Sequence, residues 1–253
     1  MNGGFHLTVV DAVTSTNDYL KERWRSLPHG EAVFAHRQTA GKGRRGHTWA
    51  EVRPGDSMAF SVLLKETSPG ALRARAGLLP LLCGMAVRRA LCRAGADAAI
   101  KWPNDLVLHG RKVCGILCES GFAGDSFYAV CGMGVNLRQT RTYFDSVELP
   151  HATSVELETG LQLTGEELAH AVLVELSPLC DTLLTKGFSA LREEYEAHCA
   201  TLGREVLVTI SGEQLQAFAK GVGEDGALLC EKDGRRFPVY AGEASVRGLY
   251  GYV

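Results

Sequence analysis

The sequence predicts an α+β protein: a mixed, mainly antiparallel sheet with flanking helices, followed by a small C-terminal β-barrel. Apolar strand-like segments joined by short connections fill residues 99–136, which favours neighbouring antiparallel strands. Apolar residues recur with helical spacing over 68–94 and 164–185, which is typical of amphipathic helices. After Arg204 only short strands and turn residues follow. We therefore expect a larger domain over residues 1–202 and a small β domain over residues 203–253.

In the larger domain, apolar runs indicate the strands and capping residues indicate the helix starts. Strands are expected at 7–10, 31–38, 57–64, 111–120 and 127–135, with two more around a proline turn within 99–108. Helices are expected after the capping residues 14–18 and at 68–94, 153–160, 164–185 and 188–200. Short strands at 206–210, 216–222, 227–231, 236–240 and 245–246 make up the small domain.

Prolines and arginines add detail to the two long helices. Ser68-Pro69 is typical of an N-cap followed by the first helical residue. Pro80 is expected to kink the first long helix and Pro178 to bend or break the second. The arginines of the first helix are interpreted as a solvated face; they are Arg73, Arg75, Arg88, Arg89 and Arg93.

Composition excludes several classes of protein. The net charge is −2, which argues against a generally basic surface for nucleic acid. No apolar run approaches the roughly 20 residues that span a membrane, and the first residues lack the features of a secretory signal. We therefore expect a cytoplasmic protein.

The eight cysteines are scattered, and no two form a Cys-x-x-Cys pair. A zinc site is therefore not expected. In a reducing compartment these residues are interpreted as small buried hydrophobes. Cys114 and Cys118 lie four residues apart in a predicted strand, and hence on one face of it.

The segment from Gly41 to Trp49, with the sequence Gly-Lys-Gly-Arg-Arg-Gly-His-Thr-Trp, concentrates glycine and positive charge. Glycines let backbone N–H groups close around an anion. Arg44 and Arg45 supply rigid forks for carboxylate or phosphate oxygens, and Trp49 can stack on a flat ring. The segment therefore indicates a loop that folds over a small, anionic, partly planar ligand such as a nucleotide. A solvated basic loop is the alternative, and the P-loop pattern is absent.

Other polar residues have both a functional and an ordinary interpretation. Those of 14–18 serve as helix caps or point at a polar ligand. Gln38, beside the loop, is an ordinary strand end or a ligand group whose amide both donates and accepts. Asp105 holds Mg²⁺ or caps its own turn. Lys112 is a binding group or a surface lysine, and Asn136 a ligand residue or a strand terminator. Gly115 within a strand indicates close approach of a ligand or of another backbone.

These motifs together resemble the biotin protein ligase family. The loop is similar to the usual family signature Gly-Arg-Gly-Arg-Arg-Gly-Arg-x-Trp, although Lys42 and His47 stand where arginines are usual. Four further segments, 15–17, 38–41, 101–105 and 112–119, resemble family motifs in family order, as does 132–137. The likeness extends to the C-terminal segment 242–248, so an SH3-like barrel is implied there. The chain resembles the short type that lacks an N-terminal DNA-binding domain, so no DNA partner is expected.

The resemblance implies a reaction in two steps. The biotin carboxylate attacks the α-phosphate of ATP, which gives biotinyl-5′-AMP and pyrophosphate. A lysine of a biotin carboxyl carrier protein domain, part of a carboxylase, then attacks this mixed anhydride and releases AMP. The implied cofactors are ATP and Mg²⁺. Sheet-to-sheet homodimers occur among relatives, and the sequence leaves the oligomeric state open.

The resemblance also assigns site residues. Lys112, Arg44 and Asp105 are the implied catalytic residues, and Asp105 is also the implied Mg²⁺ ligand. The implied biotin-binding residues are Ser15, Thr16, Asn17, Gln38, Gly41, Lys42, Gly43, Arg44, Lys112, Gly115 and Ile116. The implied ATP-binding residues are Arg44, Arg45, Gly46, Trp49, Asn104, Asp105 and Asn136.

Two rival functions are left open by the sequence. A lipoate or octanoate ligase or transferase of the same fold would also attach an acyl group to a carrier lysine. A non-catalytic biotin-binding or nucleotide-binding regulator belongs to a different class, and its site would be expected to have lost residues such as Lys112 or Arg44.

Overall fold

The structure is a computed structural model that describes residues 4–49, 53–66, 70–210, 212–241, 244–248 and 252–253. A seven-stranded sheet forms its larger part, in the order β1-β2-β3-β7-β6-β5-β4. Its strands are β1 (His6–Val13), β2 (Glu31–Gln38), β3 (Ser57–Lys65), β4 (Ala99–Lys101), β5 (Asp105–Leu108), β6 (Arg111–Ala123) and β7 (Ser126–Asn136). Only the β1–β2 pair is parallel among these described strands. The predicted mixed, mainly antiparallel sheet is confirmed.

Six α-helices lie among the described residues. They are α1 (Thr16–Arg23), α2 (Leu79–Arg93), α3 (Arg141–Ser146), α4 (Val155–Thr159), α5 (Gly165–Lys186) and α6 (Ser189–Ala197). Helices α2 and α5 pack together on one face of the sheet, over the main hydrophobic core. Helix α1 covers part of the other face, where Leu20 packs against Val33, Leu63 and Val130. The indole of Trp49 lies over another part of that face, against Gly115 and Gly134.

The structure differs from the predictions made for the prolines. Ser68-Pro69 lies outside the described residues. A 3₁₀ segment at Arg73–Leu78 precedes α2, and Pro80 lies in the first turn of α2 rather than inside a kinked helix. Proline is tolerated there because its missing N–H would be unpaired in any case. Helix α5 continues through Pro178, so the predicted break is wrong, and the alternative, a bend, stays a prediction.

The predicted solvated arginine face is wrong for Arg88 and Arg89, whose side chains are mostly buried. Arg89 makes a forked ion pair with Glu194 of α6, at 2.7 and 2.5 Å. It also lies 3.6 Å from Glu175 of α5, a carboxylate that is only 5% exposed and that Arg93 contacts at 2.7 Å. These ion pairs join α2, α5 and α6.

A second, five-stranded antiparallel sheet follows, in the order β11-β10-β9-β8-β12. Its strands are β8 (Glu205–Ile210), β9 (Glu213–Val222), β10 (Leu228–Lys232), β11 (Arg235–Val239) and β12 (Ala244–Gly248). It agrees with the predicted small SH3-like barrel. Fully buried Trp102 donates its indole N–H to the carbonyl of Gly226 at 3.0 Å, so the two sheets are joined through the core. The division at residue 203 stays a prediction.

Among the described residues, α5 alone is long and apolar enough to cross a membrane by length and composition. Half of its apolar window is buried, and α5 packs on α2 and β3. These contacts are those of a core helix in a folded domain.

Candidate active site

Two clefts meet on the sheet face that carries α1. The helix cleft lies at the start of α1 and is lined by Ser15, Thr16, Asn17, Gln38, Lys42, Gly43, Arg44, Trp49, Ala59, Phe60, Asn104, Lys112, Gly115, Ile116, Leu117, Gly132, Met133 and Gly134. The C-terminal cleft lies between the two sheets and is lined by Gly43, Arg44, His47, Thr48, Trp49, Lys101, Pro103, Asn104, Asp105, Lys112, Asn136, Tyr143, Phe144, Leu149, Ala152, Val246, Arg247 and Tyr252. Gly43, Arg44, Trp49, Asn104 and Lys112 line both clefts, so they form a shared wall.

Glycines on β6 and β7 make the floor of the helix cleft. Gly115 and Gly134 face each other in the strand register, and the indole of Trp49 lies across both. A Cβ on Gly134 would lie 2.5 Å from Trp49 Cε2, and a Cβ on Gly115 2.9 Å from Trp49 Cζ3. Gly132 leaves room in the same way for the Asn17 amide. These positions require glycine because of close approach, as the sequence indicated for Gly115, but a side chain of this protein fills the space.

The closed end of the helix cleft is a network of polar side chains. Thr16 donates its backbone N–H and its hydroxyl to Gln38 Oε1, at 2.8 and 3.1 Å. Ser61 Oγ lies 2.7 Å from Thr16 Oγ1 and 2.6 Å from Asn17 Oδ1. Asn17 Nδ2 donates to Glu119 Oε2 at 2.7 Å. The amides and hydroxyls here are buried and held in fixed orientations, which suits recognition of a small polar ring.

Helix α1 positions this network. Ser15 is its N-cap and accepts from the Asp18 N–H at 3.5 Å, so the predicted cap is confirmed. Lys42 of the loop pairs with the Asp18 carboxylate at 2.7 Å. Burial opposes ionisation of Asp18, but hydrogen bonds from Lys42 and Lys21 outweigh it and lower the pKa of this carboxyl. The Lys42–Asp18 pair therefore ties the loop to the start of α1.

The glycine–arginine loop folds back on itself as a narrow hairpin. Lys42 and Thr48 form a bridge, Gly43 N–H donates to the His47 carbonyl at 2.7 Å, and Trp49 N–H donates to the Gly41 carbonyl at 2.9 Å. A 3₁₀ turn at Arg44–Gly46 forms its tip. This backbone pairing brings Arg44 and Trp49 to the wall between the clefts.

Charged side chains cluster where the two clefts meet. Lys112 Nζ lies 2.6 Å from Asp105 Oδ1. Arg44 donates to Asn104 Oδ1 at 2.6 Å and to the Ala241 carbonyl at 2.5 Å. Buried Lys101 donates to the Val246 carbonyl at 3.1 Å, and burial lowers the pKa of its ammonium. These three cations lie in a region with one carboxylate, Asp105, which leaves the region suited to an anionic ligand.

Tyr252, near the end of the chain, completes this cluster. Its hydroxyl donates to Asp105 Oδ2, and its ring lies under the Lys101 ammonium at 4.3 Å. Burial and the neighbouring Asp105 charge raise the pKa of the Tyr252 phenol far above its usual value, so the hydroxyl stays a donor. Asp105 therefore accepts hydrogen bonds on both oxygens, from Lys112 and Asn104 on one and from Tyr252 on the other.

Most of the residues predicted for the site are brought together. All the predicted biotin-binding residues line the helix cleft except Gly41, and Arg44, Trp49, Asn104, Asp105 and Asn136 line the C-terminal cleft. Gly41 and Gly46 line a separate hollow on the outer side of the loop. The side chain of Arg45 lies outside the described part of the structure.

The side-chain amide of Asn136 is hydrogen-bonded within the protein at both its nitrogen and its oxygen, and its predicted role in ATP binding stays a prediction. Its amide donates to the Thr153 carbonyl at 3.0 Å and accepts from Gln139 at 3.3 Å. Sequence reasoning missed four residues that contact the predicted ones: Ser61, Lys101, Glu119 and Tyr252. Lys101 and Glu119 lie within motifs that were noted, whereas Ser61 and Tyr252 carry no local signal.

Comparisons with known proteins agree with this geometry. The sequence profile of the biotin/lipoate A/B protein ligase family matches residues 9–136, just over half of the chain. The chain is 32% identical to the bifunctional ligase/repressor BirA of Escherichia coli K12 over 98% of this chain and 75% of that one. It is 34% identical to the biotin–[acetyl-CoA-carboxylase] ligase of Paracoccus denitrificans over 85% of this chain and 90% of that one.

Solved structures give the same result. The biotin protein ligase from Aquifex aeolicus, solved in complex with biotin and ATP, superposes with a TM-score of 0.81 at 28% identity, and covers 96% of this chain and 99% of that one. Taken with the paired clefts and the glycine–arginine loop between them, these matches show that the chain belongs to the biotin/lipoate A/B protein ligase family.

Proposed function

We propose that this protein is an ATP-dependent biotin protein ligase. It forms biotinyl-5′-AMP from biotin and ATP, and then transfers biotin to a lysine of a carrier domain in a carboxylase. The observation that carries the proposal is the shared wall of Gly43, Arg44, Trp49, Asn104 and Lys112 between the two clefts. An acid in the helix cleft and a nucleotide in the C-terminal cleft would react across this wall. The similarity to named biotin ligases supports this choice of acid.

The buried polar end of the helix cleft fits the ureido ring of biotin. A ureido group offers one carbonyl acceptor and two N–H donors, and Thr16, Asn17 and Gln38 bring hydroxyl and amide groups to one place. In this proposal the biotin tail runs towards Lys112, along a floor that Gly132 and Gly134 keep low. Thr16, Asn17 and Gln38 already hydrogen-bond to groups of the protein. We expect the ureido ring to add to or exchange with these hydrogen bonds, which an acid without such a ring cannot do.

The first step brings two anions together, a carboxylate and a phosphate. Arg44 and Lys112 lie at their meeting point and offset the repulsion, and fixed charges of this kind often make the largest contribution to catalysis. In this proposal Asp105 is a positioning residue that holds Lys112 at 2.6 Å. The hairpin loop forms part of the wall and shields the activated anhydride from water.

The geometry does not fit Asp105 as a direct ligand of Mg²⁺. Both of its carboxylate oxygens already accept hydrogen bonds, and Lys112 balances its charge. We therefore assign Asp105 to the orientation of Lys112 and propose no metal contact for it. Localisation in the cytoplasm and a homodimeric state stay predictions.

The test is pyrophosphate exchange into ATP, measured separately with biotin, lipoate and octanoate. We expect exchange with biotin alone, followed by biotin transfer to a purified carrier domain. Exchange with lipoate or octanoate instead of biotin would show that the protein is a lipoate or octanoate ligase of the same family. Binding of biotin without exchange by any of the three acids would contradict the enzyme and support a binding protein.

A further inference from the structure

Three cysteines from distant parts of the chain meet beneath the helix cleft. Cys83 comes from α2, Cys118 from β6 and Cys131 from β7, and their sulfur atoms all lie within 4.8 Å of one another. Cys118 and Cys131 are directly opposite each other in the strand register. We call these three residues the thiol cluster. Every described cysteine is reduced, and no Cys-x-x-Cys spacing pointed to this grouping.

The surroundings of the thiol cluster keep its members neutral. Cys83 and Cys131 are completely buried, and all three pack in the main hydrophobic core. For each thiol, the hydrogen bond with one neighbouring thiol raises its pKa and the hydrogen bond with the other lowers it. Burial adds to the rise, so the pKa of each thiol lies well above its usual value. An ion bound here as a charged complex would have to place that charge in an apolar layer.

Charge therefore decides which thiophilic ligand fits. Three thiolates around a divalent ion such as Zn²⁺ carry a net charge of −1, and around Cu(I) a net charge of −2, which is costly without a buried counter-ion. Three thiolates around trivalent arsenic carry no net charge. Soft ligand atoms also favour soft centres.

We propose that the thiol cluster is a binding site for trivalent arsenic, taken up as neutral arsenous acid. Three As–S bonds form and three As–O bonds break, and each thiol proton leaves with a hydroxide as water. The oxidation state of arsenic and the charge of the protein do not change. The inference does not depend on the proposed ligase function, because it uses residues on the opposite face of the sheet.

Such a ligand would act close to the helix cleft. Leu117 precedes Cys118 on β6, and Gly132 follows Cys131 on β7. Both residues line that cleft. Cross-linking Cys118 and Cys131 to Cys83 joins these strands to α2. Bound arsenic is therefore expected to stiffen the floor of the cleft from behind.

The experiment uses the full chain and sodium arsenite as the probe. The protein is freed of excess arsenite by gel filtration, its arsenic content is measured, and X-ray absorption at the arsenic edge counts the neighbouring atoms. We expect one arsenic per chain with three sulfur neighbours. Cys83→Ala and Cys131→Ala should each weaken binding at least about tenfold, because one of three linked attachments is lost.

Cys114→Ala is the matched control, because Cys114 lies on β6, is fully buried and is outside the thiol cluster. It should bind arsenic as the unchanged protein does. The proposal is overturned if arsenic shows oxygen neighbours only, or if the two cluster variants retain the full affinity. The sulfur count on the unchanged protein decides the matter even if a variant fails to fold.

Discussion

Lys112 and Asp105 lie 2.6 Å apart at the place where the two clefts meet. The pair is held from both sides, by Asn104 at 3.3 Å and by the Tyr252 hydroxyl. A lysine fixed in this way presents its charge at a defined place without a further loss of side-chain freedom when a ligand binds. At the residue scale, contacts within the protein therefore fix the position of Lys112.

We expect Lys112→Met to lower biotin-dependent pyrophosphate exchange at least about 100-fold, because one positioned charge is lost from the transition state. The methionine keeps the length and apolar stem of the side chain. Exposed Lys186→Met, on the last turn of α5, is the control and should exchange normally. An exchange rate for Lys112→Met within about threefold of the unchanged protein would contradict the role.

At the scale of secondary-structure elements, the paired strands β6 and β7 position the loop, because their glycines are in register. Gly115 and Gly134 together form a flat area, and Trp49 of the loop lies on it. The loop is therefore placed by the strand pair as well as by its own hairpin hydrogen bonds. A side chain at either glycine would lift the tryptophan and widen the wall between the clefts.

Gly134→Ala tests this packing. The new Cβ would stand 2.5 Å from Trp49 Cε2, so we expect exchange activity to fall about tenfold or more while the fold persists, since overpacking costs roughly 1–3 kcal/mol. In a Trp49→Ala background the same change should have little further effect, as a double-mutant cycle would measure. Equal effects in both backgrounds would show that Gly134 does not act through Trp49.

The packing of helices α2, α5 and α6 depends on the ion pairs of Arg89. Replacing Arg89 with methionine leaves nearly buried Glu175 with Arg93 alone, and we expect a loss of about 2–3 kcal/mol in the free energy of unfolding. Arg192→Met breaks a more exposed pair with Glu224 and should cost less than about 1 kcal/mol. Urea unfolding of both variants gives the comparison, and equal losses would refute the assignment.

At the scale of the whole molecule, local patterns predicted the elements, but contacts between distant residues were out of reach. The eight residues of β2 match the predicted strand because an apolar run and its polar ends mark them. Tyr252 could not be assigned to Asp105, since 147 positions separate them. The thiol cluster was missed because its three cysteines are also distant in the sequence. The parallel pairing of β1 with β2 depends on how the whole sheet is assembled, so local patterns did not predict it.

The stability of the molecule should fall below neutral pH through His29. The Lys65 N–H donates to Nδ1 of this ring at 3.0 Å, and burial lowers the pKa of His29 below its usual value. The unfolded chain therefore binds the proton more readily, so the free energy of unfolding decreases as pH falls through about 6.5 towards the folded-state pKa.

Urea unfolding between about pH 7.5 and pH 5.5 measures this dependence. One group contributes a slope of at most about 1.4 kcal/mol per pH unit, and His29→Gln should remove that share of the slope. An unchanged slope in the variant would assign the acid sensitivity to other groups.

The shared wall also links the occupancies of the two clefts thermodynamically. Gly43, Arg44, Trp49, Asn104 and Lys112 line both clefts, so a ligand that changed their arrangement in one cleft would change the affinity of the other. Such a coupling free energy is reciprocal: the factor by which the acid alters nucleotide affinity equals the factor by which the nucleotide alters acid affinity. Two half-sites divided by a common partition would therefore bind their ligands as one cooperative unit.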